Sequence, residues 1–267
     1  MSSATGQHEG VAGATSDAIA IVPARLGSTR LPRKMLLRDT GHYLFEHTVR
    51  NLEEGGAVSR VVLATDSEEI VAAAQEVGVE ALLTDASHRS GTDRVNEAHD
   101  RLAEQGERPR VVVNVQGDEP DVAASDLRRL VEAFDDPEVE VATLWTPLEE
   151  ERATSSSAVK VVLDGAGDAL YFSRAPIPDT SHRREGAPAP LRRHVGVYAF
   201  RPEALARFCA LPEGELERSE SLEQLRWLEA GGRLRVLRAD HAPSGIDTPE
   251  DYRAFVARLA GTPTTAN

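Results

Sequence analysis

Apolar residues along this chain follow two rhythms. Continuous runs at Ala18–Ala24, Arg60–Asp66, Val79–Thr84, Arg110–Val115 and Val139–Trp145 read as strands buried on both faces. Between them, apolar residues recur at helical spacing around Phe45–Glu54, from Ser67 to about Val77, over Thr92–Gln105 and over Ala124–Phe134. Ser67 is placed to cap its helix. This β-α-β-α alternation predicts an α/β fold, a mainly parallel sheet with helices on both faces. Ligands of such sheets bind beyond the carboxyl ends of the strands. The loops after Ala24, Asp66, Thr84 and Val115 are therefore where chemistry is expected.

Past Pro147 the rhythm changes. Val159–Leu163 and Ala169–Ser173 read as neighbouring strands around an Asp164–Asp168 turn with two glycines. Thr180–Leu191 is rich in Pro, Arg and Gly and reads as a mobile loop. His194–Phe200 is a further strand, Pro202–Leu211 and Leu222–Ala230 are helices, and Arg233–Ala239 is a strand. Thr248 caps a final helix running to about Leu259. The expected organisation is one domain over 18–260 with an insertion at about 153–199, flanked by disordered tails at 1–17 and 261–267.

Composition narrows the setting. A chain of 267 residues can bury a continuous core without disulfides or structural metals. Its single cysteine, Cys209, rules out an intrachain disulfide and fits a reducing compartment. With no basic partner beside it in sequence, Cys209 is expected to be a buried structural thiol rather than a nucleophile. No run approaches the roughly 18 apolar residues of a membrane span. Residues 1–17 lack the basic and apolar regions of a secretory signal, so a cytoplasmic protein is expected, with no membrane partner.

The net charge of −14, from 44 acidic and 30 basic side chains, argues against nucleic acid as a partner, because such binding neutralises phosphates. Lys34 and Lys160 are the only lysines; every other fixed cation is arginine. Acidic excess with scarce lysine fits a salty cytoplasm, and the arginine bias fits a GC-rich genome equally well. Melting temperature against KCl separates the two.

Four segments at strand-to-loop junctions carry candidate chemistry. The first, Pro23-Ala24-Arg25-Leu26-Gly27-Ser28-Thr29-Arg30-Leu31-Pro32-Arg33-Lys34, joins small residues that let backbone approach an anion to the cations Arg25, Arg30 and Lys34. It is either a triphosphate loop or a basic surface loop, and it lacks the spacing of a Walker loop. The second, Val113-Asn114-Val115-Gln116-Gly117-Asp118-Glu119-Pro120, runs a strand into two carboxylates. Asp118 is placed either to hold a hard divalent cation or simply to end a strand in a turn. In the third, Gly245-Ile246-Asp247-Thr248-Pro249-Glu250-Asp251, a capping box accounts for Thr248 and Asp251 but leaves Asp247 free to meet Asp118. The fourth, His88-Arg89-Ser90-Gly91-Thr92-Asp93-Arg94, could read a base edge or merely cap the next helix.

Together these segments resemble the 3-deoxy-manno-octulosonate cytidylyltransferases (CMP-Kdo synthetases), nucleotide-diphospho-sugar transferase-like enzymes. The likeness spans about Ala18 to Leu259. Beyond the four segments it includes Ala-Thr-Asp at Asp66, Ala-Val-Lys-Val-Val at Lys160, Ala-Leu-Tyr-Phe-Ser-Arg to Arg174, Arg-His-x-Gly-x-Tyr from Arg193 and Leu-Glu-Gln-Leu-Arg from Leu222.

The resemblance implies transfer of CMP from CTP to 3-deoxy-D-manno-octulosonate (Kdo), releasing pyrophosphate and activating the sugar for lipopolysaccharide synthesis. It implies that Ala24, Arg25, Ser28 and Lys34 meet the nucleotide phosphates and that Ser90, Gly91, Thr92 and Gln116 face the cytosine. Asp118 and Asp247 are implied to bind Mg²⁺; with Arg25 and Lys34 they form the implied catalytic set. Arg174, His194, Tyr198, Glu223 and Gln224 are implied to line the sugar site, with the 153–199 insertion supplying a sugar pocket and a contact of a homodimer.

The chain departs from the family pattern at three places. Arg33 stands where Gly usually precedes the lysine, Gly41-His42-Tyr43 replaces Gly-Lys-Pro, and Ser155-Ser156-Ser157 replaces an Asn-Pro-Asn type. Rival readings are activation of the 8-amino sugar or a sialic acid, a nucleotide-binding module without catalysis, and a glycosyltransferase of similar topology. The last lacks its Asp-x-Asp motif at Asp118-Glu119-Pro120.

Overall fold

The computed structural model describes residues 17–184, 186, 190–241, 243 and 245–261. The expected tails, apart from Asp17 and Gly261, and parts of the 180–191 loop lie outside the described residues. The first half follows the apolar pattern: strand β1 (Ala18–Ala24), helix α1 (Leu44–Gly55), β2 (Arg60–Thr65), α2 (Glu68–Glu76), β3 (Ala81–Leu83), α3 (Gly91–Glu104), β4 (Val111–Asn114), α4 (Ala124–Glu132) and β5 (Val141–Pro147). The second half supplies β6 (Lys160–Leu163), β7 (Ala169–Ser173), β8 (Arg192–Phe200), α5 (Pro202–Ala210), α6 (Glu215–Glu220), α7 (Gln224–Glu229), β9 (Arg235–Arg238) and α8 (Pro249–Ala260).

Why β1 is apolar throughout is visible in what its two faces touch. Ala18, Ala20 and Val22 pack against Phe45, Val49 and Leu52 of α1 and Leu127 and Leu130 of α4. Ile19 and Ile21 point the other way, toward Val95, Ala98 and Leu102 of α3 and Phe208 of α5. A strand sandwiched between two helical layers gains nothing from polar alternation.

The main sheet runs β3-β2-β1-β4-β8-β5-β9. β3, β2, β1 and β4 are mutually parallel, and β5 is parallel to β9. β8 is antiparallel to both β4 and β5, so the sheet is mixed. The reason lies in the connection. Pro147 at the end of β5 pairs with Arg192 at the start of β8, so the chain re-enters where it left and must run back.

This also narrows the insertion. Of the stretch expected at 153–199, the hairpin β6–β7 hangs from β8 through one pairing, Lys160 with Arg193, whereas β8 itself is a central strand. α6 escaped the sequence reading because Glu-Leu-Glu-Arg-Ser-Glu has one apolar residue and no period.

A third, smaller cluster bears directly on function. Tyr252 and Phe255 of α8 and Ile246 before it bury against Leu31 and Leu44. The last helix is thereby laid over the loop that follows β1, as the Tyr252 hydroxyl accepting from the Asp39 backbone N–H at 2.9 Å also requires. Among the described residues no helix is long and apolar enough to cross a membrane.

Candidate active site

At the carboxyl ends of β1 and β4 lies a cleft of about 450 Å³, lined among others by Arg25, Ser28, Lys34, Ser90, Gln116 and Asp118, with Asp247 at its rim. The loop after β1 folds so that Ser28 Oγ accepts from the Leu31 N–H at 3.4 Å. Arg33 then takes a left-handed conformation, φ 57°, and starts a short 3-10 turn, Lys34–Leu36. That conformation suits glycine; here Arg33 adopts it, with a surface ion pair of its guanidinium to Glu69. One consequence is directional. Arg33 faces outward and Lys34 inward, where its side chain is only 10% exposed.

Asp118 and Asp247, separated by most of the chain, meet at the Lys34 ammonium. Nζ donates to Asp118 Oδ2, to Asp247 Oδ1 at 3.2 Å and to the Ile246 carbonyl at 3.0 Å. The backbone enforces this meeting, because the Ile246 N–H donates to the Asp118 carbonyl at 3.0 Å. Arg30 holds the second oxygen of Asp247 at 3.0 Å. On the other side, Thr48 Oγ1 donates to the Gly117 carbonyl at 2.9 Å and fixes the turn that carries Asp118. Space is tight at that turn: a Cβ on Gly117 would lie 3.0 Å from Met35 Sδ.

Two carboxylates beside a backbone carbonyl form a set of hard oxygen donors. Such a set fits a magnesium ion, which keeps waters and substrate phosphates in its other positions. Among the described residues no group of three or more His, Cys, Asp or Glu could hold a metal ion.

The expected base-facing residues divide. Ser90 and Gly91 line the cleft together with Gln116, and a Cβ on Gly91 would lie 3.1 Å from Gln116 Oε1. Ser90 also caps α3, accepting from the Asp93 N–H at 3.1 Å, so the capping reading of that segment holds while its residues still line the cleft. Thr92 is 1% exposed, and its hydroxyl is turned into the protein. It donates to Glu223 Oε1 at 2.5 Å and accepts from Asn114 Nδ2 at 3.3 Å. Ala24 is buried at the end of β1 and offers only backbone.

The expected sugar residues sit on β8 and at the start of α7. His194 bonds through Nε2 to Thr143 Oγ1 at 3.0 Å and packs its ring on Phe172 and Tyr198. Burial first, and the Arg193 charge second, push its pKa down to about 3, so it stays a neutral hydrogen-bonding group. Burial pushes the Tyr198 phenol up, and it raises the Glu223 carboxyl against the opposing pull of hydrogen bonds from Thr92 and Ser90. Gln224 is buried, and its Nε2 has no hydrogen-bond partner.

Arg174 is committed in part. Its Nε donates to the Glu220 carbonyl at 2.8 Å, and its terminal nitrogens to those of Ser156 at 3.0 Å and Ser221 at 3.3 Å. Two of its five N–H donors remain. The Ser155–Ser157 departure is thus built into this wall. Lys160, fully buried, donates to the carbonyls of Ser155, at 2.9 Å, and Arg174. Both lysines of the chain therefore sit inside, where a compact ammonium with three donors tethers oxygens that a planar guanidinium would not fit.

Sequence reasoning passed over Glu119. Burial beside Asp118 raises its pKa to about 7, Arg193 opposes the rise, and Oε2 is buried without a partner. Its place next to Asp118 was the available signal, but nothing in the sequence tells which of two adjacent carboxylates turns inward. Cys209 is half-buried rather than buried, with Sγ 3.6 Å from the Thr92 carbonyl. Burial raises its thiol pKa, as expected for an unreactive thiol.

The family model for cytidylyltransferases matches residues 19–236. A 3-deoxy-manno-octulosonate cytidylyltransferase of Anaeromyxobacter sp. (strain Fw109-5) is 48% identical over 244 residues, covering 91% of this chain and 97% of the relative. One of Bdellovibrio bacteriovorus is 42% identical over 236 residues, covering 87% and 94%. The solved structure of a CMP:2-keto-3-deoxy-manno-octonic acid synthetase complexed with CTP superposes with a TM-score of 0.85 at 37% identity, covering 92% of this chain and 99% of that one. A 4-diphosphocytidyl-2C-methyl-D-erythritol synthase of Anaerococcus prevotii, 13% identical with a TM-score of 0.58, shares the fold alone. With its four strand-end motifs gathered around one cleft and these relatives matched over nearly their whole length, this chain belongs to the 3-deoxy-manno-octulosonate cytidylyltransferase family.

Proposed function

We infer that this protein transfers CMP from CTP to 3-deoxy-D-manno-octulosonate and releases pyrophosphate. The observation that carries the chemistry is the convergence of Asp118 and Asp247 on one cation position beside the basic loop after β1. The anomeric hydroxyl of the sugar attacks the α-phosphorus in line and gives up its proton to solvent, the new O–P bond forms, and the bond to pyrophosphate breaks.

The chain's own residues position and neutralise. Arg25, Ser28, Arg30 and Lys34 line the cleft with cations and a hydroxyl suited to a triphosphate. Gln116 and the Ser90–Gly91 turn are the polar groups set to receive the cytosine. His194, Tyr198, Glu223, Gln224 and the remaining donors of Arg174 are the groups that suit a carboxylated polyol. Bound between Asp118 and Asp247, Mg²⁺ would lower the pKa of the attacking hydroxyl and stabilise charge on the phosphate oxygens. Preorganised cations around the phosphates then account for most of the remaining acceleration.

The reading includes a cytoplasmic homodimer. A nucleoside triphosphate as substrate supports the compartment. Sedimentation tests the oligomer. Incubation with CTP, Mg²⁺ and, separately, Kdo, its 8-amino form and a sialic acid tests the reaction, with nucleotide products identified by mass. Pyrophosphate release with Kdo is expected to exceed that with the other two; release confined to a different sugar overturns the substrate, and no release with any of them overturns the enzyme.

A further inference from the structure

We propose that Lys34 competes with the divalent ion for Asp118 and Asp247, so that metal is taken up together with the nucleotide and not ahead of it. This rests on the cytidylyltransferase reading and deepens it. The Lys34 ammonium has three N–H donors and three acceptors: Asp118 Oδ2, Asp247 Oδ1 at 3.2 Å and the Ile246 carbonyl at 3.0 Å. All three are the hard oxygens that a magnesium ion would choose. The two cations cannot share them, because an ammonium at hydrogen-bond distance occupies the space of the ion and adds repulsion at close range.

Charge balance points the same way. Arg30 lies 3.0 Å from the other oxygen of Asp247, so Lys34 and Arg30 already partly neutralise the two aspartates and weaken their pull on a divalent ion. To bind alone, the ion must also drive a largely buried ammonium away from its acceptors, which is unfavourable unless new partners appear. A triphosphate supplies those partners. Arg25, Ser28, Arg30 and Lys34 line one cleft, so phosphate oxygens arriving there draw the ammonium and guanidinium off the carboxylates as the ion moves onto them. The left-handed Arg33, paired with Glu69, holds the chain so that Lys34 starts its excursion from between the aspartates. By linkage, whatever the nucleotide gains from the ion, the ion gains from the nucleotide.

The test is titration of free Mn²⁺, followed by electron paramagnetic resonance, into protein without nucleotide. Lys34→Met and Lys34→Gln are expected to bind Mn²⁺ at least about ten-fold more tightly than wild type. Adding Asp118→Asn to either variant is expected to abolish the gain. Arg25→Met removes a cation from the same cleft that, among the described residues, pairs with neither aspartate. It is expected to change the affinity by less than about three-fold, since its charge acts only through solvent. Equal affinity in wild type and in whichever Lys34 variants melt cooperatively overturns the competition. So does a gain matched by Arg25→Met, because net charge alone then explains it. Wild-type turnover of CTP and Kdo with Mg²⁺ is measured alongside. Loss of that turnover overturns the enzymatic reading, whereas intact turnover without the Mn²⁺ gain overturns only the competition.

Discussion

The Thr92 hydroxyl donates a 2.5 Å hydrogen bond to Glu223 Oε1, joining the start of α3 to the residue that precedes α7. Thr92 follows the turn proposed to receive the cytosine, and Glu223 belongs to the proposed sugar set, so the two proposed halves of the site share one buried bond. Thr92→Val is expected to destabilise the protein by about 1–3 kcal/mol, the cost of leaving a buried acceptor unpaired. With Glu223→Gln it completes a double-mutant cycle whose coupling should be at least about 0.5 kcal/mol. Urea unfolding measures both. Steady-state kinetics of Thr92→Val should show KM rising for CTP and Kdo alike; a change confined to one substrate contradicts a shared support.

Asp118→Asn and Asp247→Asn are each expected to lower kcat by about three orders of magnitude, on the scale of losing a preorganised electrostatic partner. Both carboxylates reach solvent, with side chains 21% and 47% exposed, so neither change should move the melting temperature far. Near-normal turnover in either variant contradicts the metal assignment.

Arg33 separates backbone strain from charge. Arg33→Ala keeps the left-handed residue and loses the ion pair with Glu69; Arg33→Gly also loses the pair but relieves the backbone. The glycine variant should be the more stable of the two by about 1 kcal/mol, read from chemical denaturation. The alanine variant alone should differ from wild type by no more than the roughly 0–1 kcal/mol that an exposed ion pair contributes. Equal stability of the two variants removes the strain account.

His194 gives the protein an acid limb. Its folded pKa of about 3 lies below the unfolded 6.5, so the unfolded chain binds the extra proton between these values. Stability from this residue is complete above pH 6.5 and is lost as pH falls toward 3, by up to about 3 kcal/mol at pH 4. Unfolding measured from pH 7 to 4 should slope less in His194→Gln than in wild type. A parallel slope places the acid sensitivity elsewhere.

Local pattern carried far into the fold, and the reason is physical. β1 at Ala18–Ala24 and β7 at Ala169–Ser173 were legible residue for residue, because a strand's burial is written in its own side chains. The Ser67 and Thr248 caps were equally local, since each satisfies N–H groups within its own first turn. The basic loop after β1, Asp118 and Asp247 stood out for the same reason: strand ends followed by small, basic or acidic residues are readable wherever the strands finally lie.

What the sequence by itself determined, then, is which segments form elements and which loops carry chemistry. Direction, partnership and side-chain aim belong to the tertiary structure alone. β8 runs antiparallel between β4 and β5 because of where Pro147 and Arg192 meet, a fact about the path of the chain and not about the composition of the strand. Thr92 turns to Glu223 instead of the cleft because its neighbours in space, not in sequence, offer the acceptor. Lys34 reaches Asp118 and Asp247 only because α8 packs on Leu31 and Leu44 and lays the last motif over the first. Hydrophobic period records that a residue is buried; it holds no record of what it is buried against.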